Sequence, residues 1–257
     1  MTKRILIFGY GVACYAIFFV TFLYAIGFVG NFAVPVTIDG EPGLPFGRAL
    51  AIDLLLLGLF AVQHSVMARP AFKRRWTRIV PQSAERSTYV LLSSLALIVL
   101  FAFWQPLGGV VWSVESPLGQ AVLYALFALG WATVLVSTFL INHFDLFGLR
   151  QVWLQLIGRP YTSLEFGTPF FYRYVRHPLY VGWFFAFWAT PHMTVTHLVF
   201  AVMTAAYILT AIQLEERDLM AAHPEYRAYR ARVPMLIPRF GRRRAVTAAR
   251  PLAAPVE

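Results

Sequence analysis

Arg176-His177-Pro178 stands inside an aromatic run, FFYRYVRHPLYVGWFFAFW at 170–188, that otherwise reads as a membrane segment. Charged groups are expensive at that depth, and a chain that keeps them there generally uses them. Proline suits the first turn of a helix, where its missing N–H would have no partner anyway, so a helix is expected to begin near Pro178. Its free N–H groups and positive dipole end would form an anion site, with Arg173, Arg176 and His177 beside it. Tyr180 and Gly182 follow, the glycine permitting close approach of a ligand or a second helix. A second cluster, LEERDLMAAHPEYRAYRARVPMLIPR at 214–239, sets Glu215 and Glu216 where an apolar block ends, with Tyr226 and Tyr229 on the amphipathic stretch after it. Taken alone, Glu215 reads as an ordinary solvated helix-end carboxylate.

Polar residues elsewhere at membrane level are few. His64 ends the second apolar block, and Asn142, His143 and Asp145 leave the fourth. A lone histidine in such a place is more often a satisfied interfacial residue than a catalyst. His143 with Asp145 is the better candidate, because a carboxylate can orient and charge an imidazole. Two residues apart they would not share a face of a regular helix, so a helix end or turn is required. His192 and His197 fall at an outer turn and read as interfacial, and His223 reads as a surface residue. Cys14 is the single cysteine, which excludes an internal disulfide, a CxxC redox pair and a thiolate metal site; no metal site is expected.

The elements that must position these residues are membrane helices. The 257 residues are 59% hydrophobic and 13% charged, about half the charge usual in a soluble chain. Apolar blocks fall at about 5–30, 49–68, 88–105, 118–141, 179–190 and 194–214. The first four are near the ~20 residues a helix needs to cross the hydrocarbon core. The fifth is too short to cross alone, so the last two are expected to form a tight helical hairpin. The first block follows a basic start like that of a signal peptide, but it is too long for one and reads as a retained span. The expected fold is an all-α integral membrane protein of about five to six transmembrane helices. A single domain is expected over 1–240: four spans over 1–141, a cofactor-binding loop, hairpin and C-terminal helix over 142–240, and a disordered basic tail at 241–257.

The net charge of +10 sits in four short segments: Lys3 and Arg4; Arg69 to Arg86; Arg150 to Arg176; and Arg217 to Arg239. With an even number of crossings between them, all four fall on one side, which the positive-inside rule makes the cytoplasm. The opposite segments carry Asp39, Glu41 and Glu115. Such charge reports topology and contact with anionic lipid, and no motif for DNA or RNA accompanies it, so no nucleic-acid partner is expected. No obligate protein partner is evident. A channel would spread polar residues through its spans, whereas here they gather at one membrane face.

RHPLYVG, a hairpin-length apolar gap, then EE and PEYRAYRARVP together resemble the isoprenylcysteine carboxyl methyltransferase superfamily over about 157–239. AVQHSVMARPAFKRRW at 61–76 and INHFDLFGLRQVWL at 141–154 resemble, more narrowly, the bacterial membrane methanethiol S-methyltransferases, enzymes that turn methanethiol into dimethyl sulfide. The resemblance implies an enzyme of the bacterial inner membrane, with termini and active site on the cytoplasmic side, that takes its methyl group from S-adenosylmethionine. It implies that Tyr172, Arg176, His177, Pro178 and Tyr180 form the cofactor pocket, that Leu164, Glu165, Phe166 and Gly167 wrap the cofactor, and that Glu215 contacts its amino or ribose end. The prenylcysteine enzymes carry an arginine one helical turn before that glutamate, to meet the substrate carboxylate. Ala211 stands at that position here, which argues against a prenylcysteine and for a small thiol. A thiol reacts as thiolate, so a base or cationic neighbour is needed; His64, Asn142, His143 and Asp145 are the candidates, with Arg150 or Arg176 as an alternative. A phospholipid methyltransferase and a haem-binding protein like the zeta-carotene isomerases are the competing readings.

Overall fold

The computed structural model describes residues 1–164 and 166–238. Glu165 and the tail at 241–257 lie outside the described residues. The elements run α1 (Thr2–Gly30), α2 (Phe46–Ala68), α3 (Pro70–Trp76), α4 (Gln82–Phe103), β1 (Val110–Ser113), α5 (Pro117–Ile141), α6 (His143–Leu146), α7 (Leu149–Leu156), a 3₁₀ turn (Phe170–Arg173), α8 (Pro178–Trp188), β2 (His192–Thr194), α9 (Val195–Ala222) and α10 (Tyr226–Arg232). α1, α2, α4, α5 and α9 are long and apolar enough to cross a membrane. Leu55, Leu59, Val62, Val122 and Leu129 are exposed on their outer faces, where lipid rather than water suits them.

The chain supplies its own starts and stops. Proline opens α3, α5 and α8. The Ser116 and Thr194 side chains accept from the backbone N–H three residues on, capping α5 and α9. α5 ends at Asn142, whose φ of 142° breaks the helix and whose side chain then caps α6 through the Asp145 N–H. Gly148 turns the chain between α6 and α7 with φ +89°, against the backbone of Ser87, where a Cβ would find no room.

The fifth apolar block departs from expectation. α8 has 11 residues, about 16 Å of helix against a hydrocarbon core of about 30 Å. It is a half-span. The tip of the expected tight hairpin is a strand, β2, paired antiparallel with β1 through Val110↔Thr194, Trp112↔Met193 and Ser113↔His192. His197 is not interfacial: it is 1% exposed, and its Nε2 lies 2.9 Å from the carbonyl of Phe187 in the last turn of α8. A helix end inside a membrane leaves carbonyls without water, and this imidazole supplies a partner.

α8 lies against α5 at a pair of glycines. A Cβ on Gly130 would stand 2.5 Å from the Ala186 nitrogen, and one on Gly182 would stand 2.8 Å from the Gly130 carbonyl. The contact fixes depth. Gly130 is about 16 Å from the Ile141 end of α5, whereas Gly182 is about 6 Å beyond Pro178, so Pro178 starts its helix roughly 10 Å inside that end. An aromatic core of Phe28, Phe101, Trp104, Trp131 and Phe200 fills the other half. Gly182→Val is expected to separate the two helices, destabilise the fold by about 1–3 kcal/mol or more, and lower activity with it. Thermal unfolding in detergent and an activity assay on the same sample check both.

Candidate active site

At the basic end, the loop before α8, the last turns of α9, and α10 converge on two adjacent carboxylates with opposite surroundings. Glu216 is 2% exposed. Arg176 Nε donates to its Oε1 at 2.6 Å, His177 Nε2 lies 3.0 Å from the same oxygen, Tyr226 donates its hydroxyl at 3.3 Å, and Arg230 Nε stands 2.8 Å from Oε2. The Arg176 guanidinium also donates to the carbonyls of Arg230 and Val233. The backbone N–H groups of Arg176 and His177 go to Pro234 and Met235. The group is a structural lock, and Arg176, expected at an anion site, is committed within the protein.

Glu215 faces the other way. Its side chain is 45% exposed. Tyr180 donates its hydroxyl to Oε2 at 2.8 Å, and His177 Nδ1 lies 4.0 Å from that oxygen. One histidine therefore bridges the two: Nε2 on the sealed carboxylate and Nδ1 toward the open one. Aromatic rings surround this opening. Phe166 packs on His223, Tyr226 and Tyr229, and Tyr229 donates to the Tyr172 carbonyl at 2.6 Å. Burial pushes the phenols of Tyr226 and Tyr229 up, the latter to about 12, so both remain donors at any physiological pH. Leu164 and Gly167 lie on the irregular backbone beside Phe166; Pro178 opens α8 between the paired residues.

The four candidate acid–base residues separate. His143 is 3% exposed; Tyr15 Oη is 2.8 Å from its Nε2, Thr138 Oγ1 is 2.8 Å from its Nδ1, and its ring stacks on Phe139. Asp145 accepts instead from Arg150 at 2.8 Å and from Tyr161 at 3.3 Å. The expected His143–Asp145 pair is not formed, because the turn at Asn142 sends the two side chains to opposite sides of α6. Arg150 also donates to Thr162, so it holds the loop. His64 is held otherwise, between α2 and α4. Its Nε2 is 2.9 Å from the Tyr89 hydroxyl, its Nδ1 is 3.1 Å from Ser93 Oγ, and Phe60 stacks on the ring. Next to it, Ser65 Oγ meets Tyr207 Oη at 3.1 Å.

Sequence reasoning gave Glu216 no role and did not single out Arg230, Tyr89 or Tyr207. One signal was available. Ile208, Ile212 and Glu216 follow at four-residue spacing and all three are buried, so a carboxylate stands on the apolar face of α9 and requires partners. Tyr207, Ala211 and Glu215 form the neighbouring stripe.

Two outcomes are expected. Glu216→Ala strands two arginines and lowers stability by about 3–5 kcal/mol, whereas Glu215→Gln changes it by less than about 0.5 kcal/mol; chemical unfolding in micelles checks the contrast. Burial lowers the His143 pKa, so the unfolded chain binds a proton near pH 6.5 that the folded chain does not. Its contribution is full above that pH and is lost as pH falls below it. Between about pH 7 and about pH 5 the wild type should therefore lose more stability than His143→Gln, read as the melting temperature at each pH.

No family model matches the sequence, and no solved structure matches it. Named proteins do. The chain is 58% identical to a methanethiol S-methyltransferase of Crocosphaera subtropica over 242 residues, covering 94% of this chain and 95% of that one. It is 57% identical to a methanethiol S-methyltransferase of Mycobacterium tuberculosis over 237 residues, covering 92% and 97%. It is also 30% identical to Nurim of Xenopus laevis over 198 residues, covering 70% and 69%. On likeness of that degree along nearly its whole length, the chain belongs to the methanethiol S-methyltransferase family, within the isoprenylcysteine carboxyl methyltransferase-like superfamily.

Proposed function

We propose that this protein transfers a methyl group from S-adenosylmethionine to methanethiol, releasing dimethyl sulfide, at the membrane level of the Tyr180–Glu215 pair. The observation that carries the reading is the pair of unlike carboxylates at the start of α8 in a chain of this family: Glu216 locked, Glu215 half open. The residues present fit such a donor. Glu215 accepts hydrogen bonds from an amino or hydroxyl group, the start of α8 suits a carboxylate, and the faces of Tyr172, Phe166 and Tyr180 suit a purine and a sulfonium cation. When bound, the donor supplies an electrophilic methyl group on a positively charged sulfur.

The protein's part is to position and to exclude water. Tyr180 and His177 orient Glu215, and the aromatic cluster on Phe166 shields it. Ala211 gives an acceptor no ion partner, which suits a small uncharged thiol and not a prenylcysteine carboxylate. The basic segments gather at the end where the pair opens, and the positive-inside rule makes that end the cytoplasm of a bacterial inner membrane, where the donor is made.

Headspace gas analysis of membranes given S-adenosylmethionine and methanethiol tests the reading. Dimethyl sulfide is expected, and Glu215→Gln should raise the donor KM about 10- to 100-fold, the worth of a hydrogen bond to a charged group. Labelled methyl appearing in phospholipid, with no volatile product, would replace the reading with a lipid methyltransferase.

A further inference from the structure

We propose that the groove between the first turns of α1 and α4 holds one acyl chain of an anionic phospholipid, with the lipid's phosphate on Lys3. The proposal stands apart from the methyl-transfer reading, and it concerns residues that the site above does not use.

The groove has a volume of about 360 Å³ and lies at the basic end. Leu6, Ile7 and Tyr10 form its α1 wall, and Val80, Pro81 and Ala84 form the wall at the start of α4. One end is closed where Tyr10 donates its hydroxyl to Thr88 Oγ1 at 2.9 Å; the Thr88 hydroxyl in turn donates to the Ala84 carbonyl at 2.9 Å. Lys3 lines the other end. From Lys3 to Tyr10 the helix rises about 10 Å, so the groove runs from headgroup level into the hydrocarbon. Its walls are apolar and its hydroxyls are already paired, which leaves water nothing to bond. A hydrocarbon chain suits such a slot, and Leu6, 68% exposed, gives it a face on the bilayer.

Charge selects the headgroup. Among the described residues, the side chains of Lys3 and Arg78 have neither a hydrogen-bond nor an ion-pair partner. Lys3 lays its stem along the apolar wall and leaves its ammonium at the depth of a phosphate. Arg78 stands two residues before Val80, and Ile79 between them is 79% exposed, which sets this turn at the lipid surface. Arg4 is used elsewhere, its guanidinium lying against Gly158 beyond α7. No acidic residue lines the groove, and Glu85, next to Ala84 in the chain, acts on Lys73. A second recess of about 380 Å³, over Pro178 and Val181, is walled by Phe171 and Leu236 without any charged side chain. Nothing there would choose among headgroups, so the selectivity belongs to the groove at Lys3.

The test is native mass spectrometry of the full-length protein in detergent, given phosphatidylglycerol or phosphatidylcholine with the same acyl chains. Wild type should retain one phosphatidylglycerol about fivefold more than one phosphatidylcholine. Lys3→Gln should remove that preference, lowering phosphatidylglycerol retention about fivefold, the worth of one lysine beside an anionic surface. Ile7→Trp, which fills the groove, should remove the single retained lipid with either headgroup. Glycerophosphate alone should not bind, since it lacks the chain. Equal retention of the two lipids by wild type would overturn the proposal. So would phosphatidylglycerol retention that survives Ile7→Trp, which would leave only diffuse attraction to a basic surface. Melting temperatures in lipid-free detergent show that the variants are folded; if Ile7→Trp melts lower than wild type, Leu6→Trp on the exposed wall is read in its place.

Discussion

A carboxylate that is 2% exposed at the end of a membrane helix cannot stand alone, and the arrangement around Glu216 follows from that requirement. Its partners come from two places: Arg176 and His177 before α8, and Tyr226 and Arg230 on α10. Satisfying one buried charge therefore ties the loop, the half-span and the C-terminal helix into a single unit. The same unit aims Tyr180 at Glu215, so the lock and the open carboxylate are two consequences of one geometry.

Depth is the second constraint. A helix as short as α8 cannot cross the bilayer, and it is tolerated because both its ends are served by protein. His177 and the residues after Val233 hold its start, His197 takes a carbonyl at its end, and Gly130 against Gly182 brings it close to α5. The result is a helix start about 10 Å inside the basic end.

Polar groups at the two ends of the molecule do different work. At the acidic end Asp39 accepts from Asn31 and from Thr194, Asp53 accepts from the Gln105 backbone, and Thr196 accepts from the Leu107 backbone. These bonds fasten loops to helix ends. At the basic end the polar side chains meet each other across helices, as in Tyr180–Glu215, His64–Tyr89 and Ser65–Tyr207. These pairs join α8 to α9, α2 to α4 and α2 to α9.

The spans at α1, α2, α4, α5 and α9 were legible because twenty apolar residues in a row have only one stable form in a bilayer, and the segregation of basic residues was legible because charge cannot be hidden there. Proline at 178 announced a helix start for a local steric reason. The sequence offered Arg176 for an anion and His143 with Asp145 as a pair; in the structure Arg176 meets Glu216, His143 meets Tyr15 and Thr138, and Asp145 meets Arg150, because partners are chosen by what the fold brings within 3 Å. The amino-acid order alone determined which segments enter the membrane and where chemistry would gather. Only the tertiary structure decided that Glu216 is locked and Glu215 open, because those distinctions depend on neighbours 35 to 40 residues away in the chain.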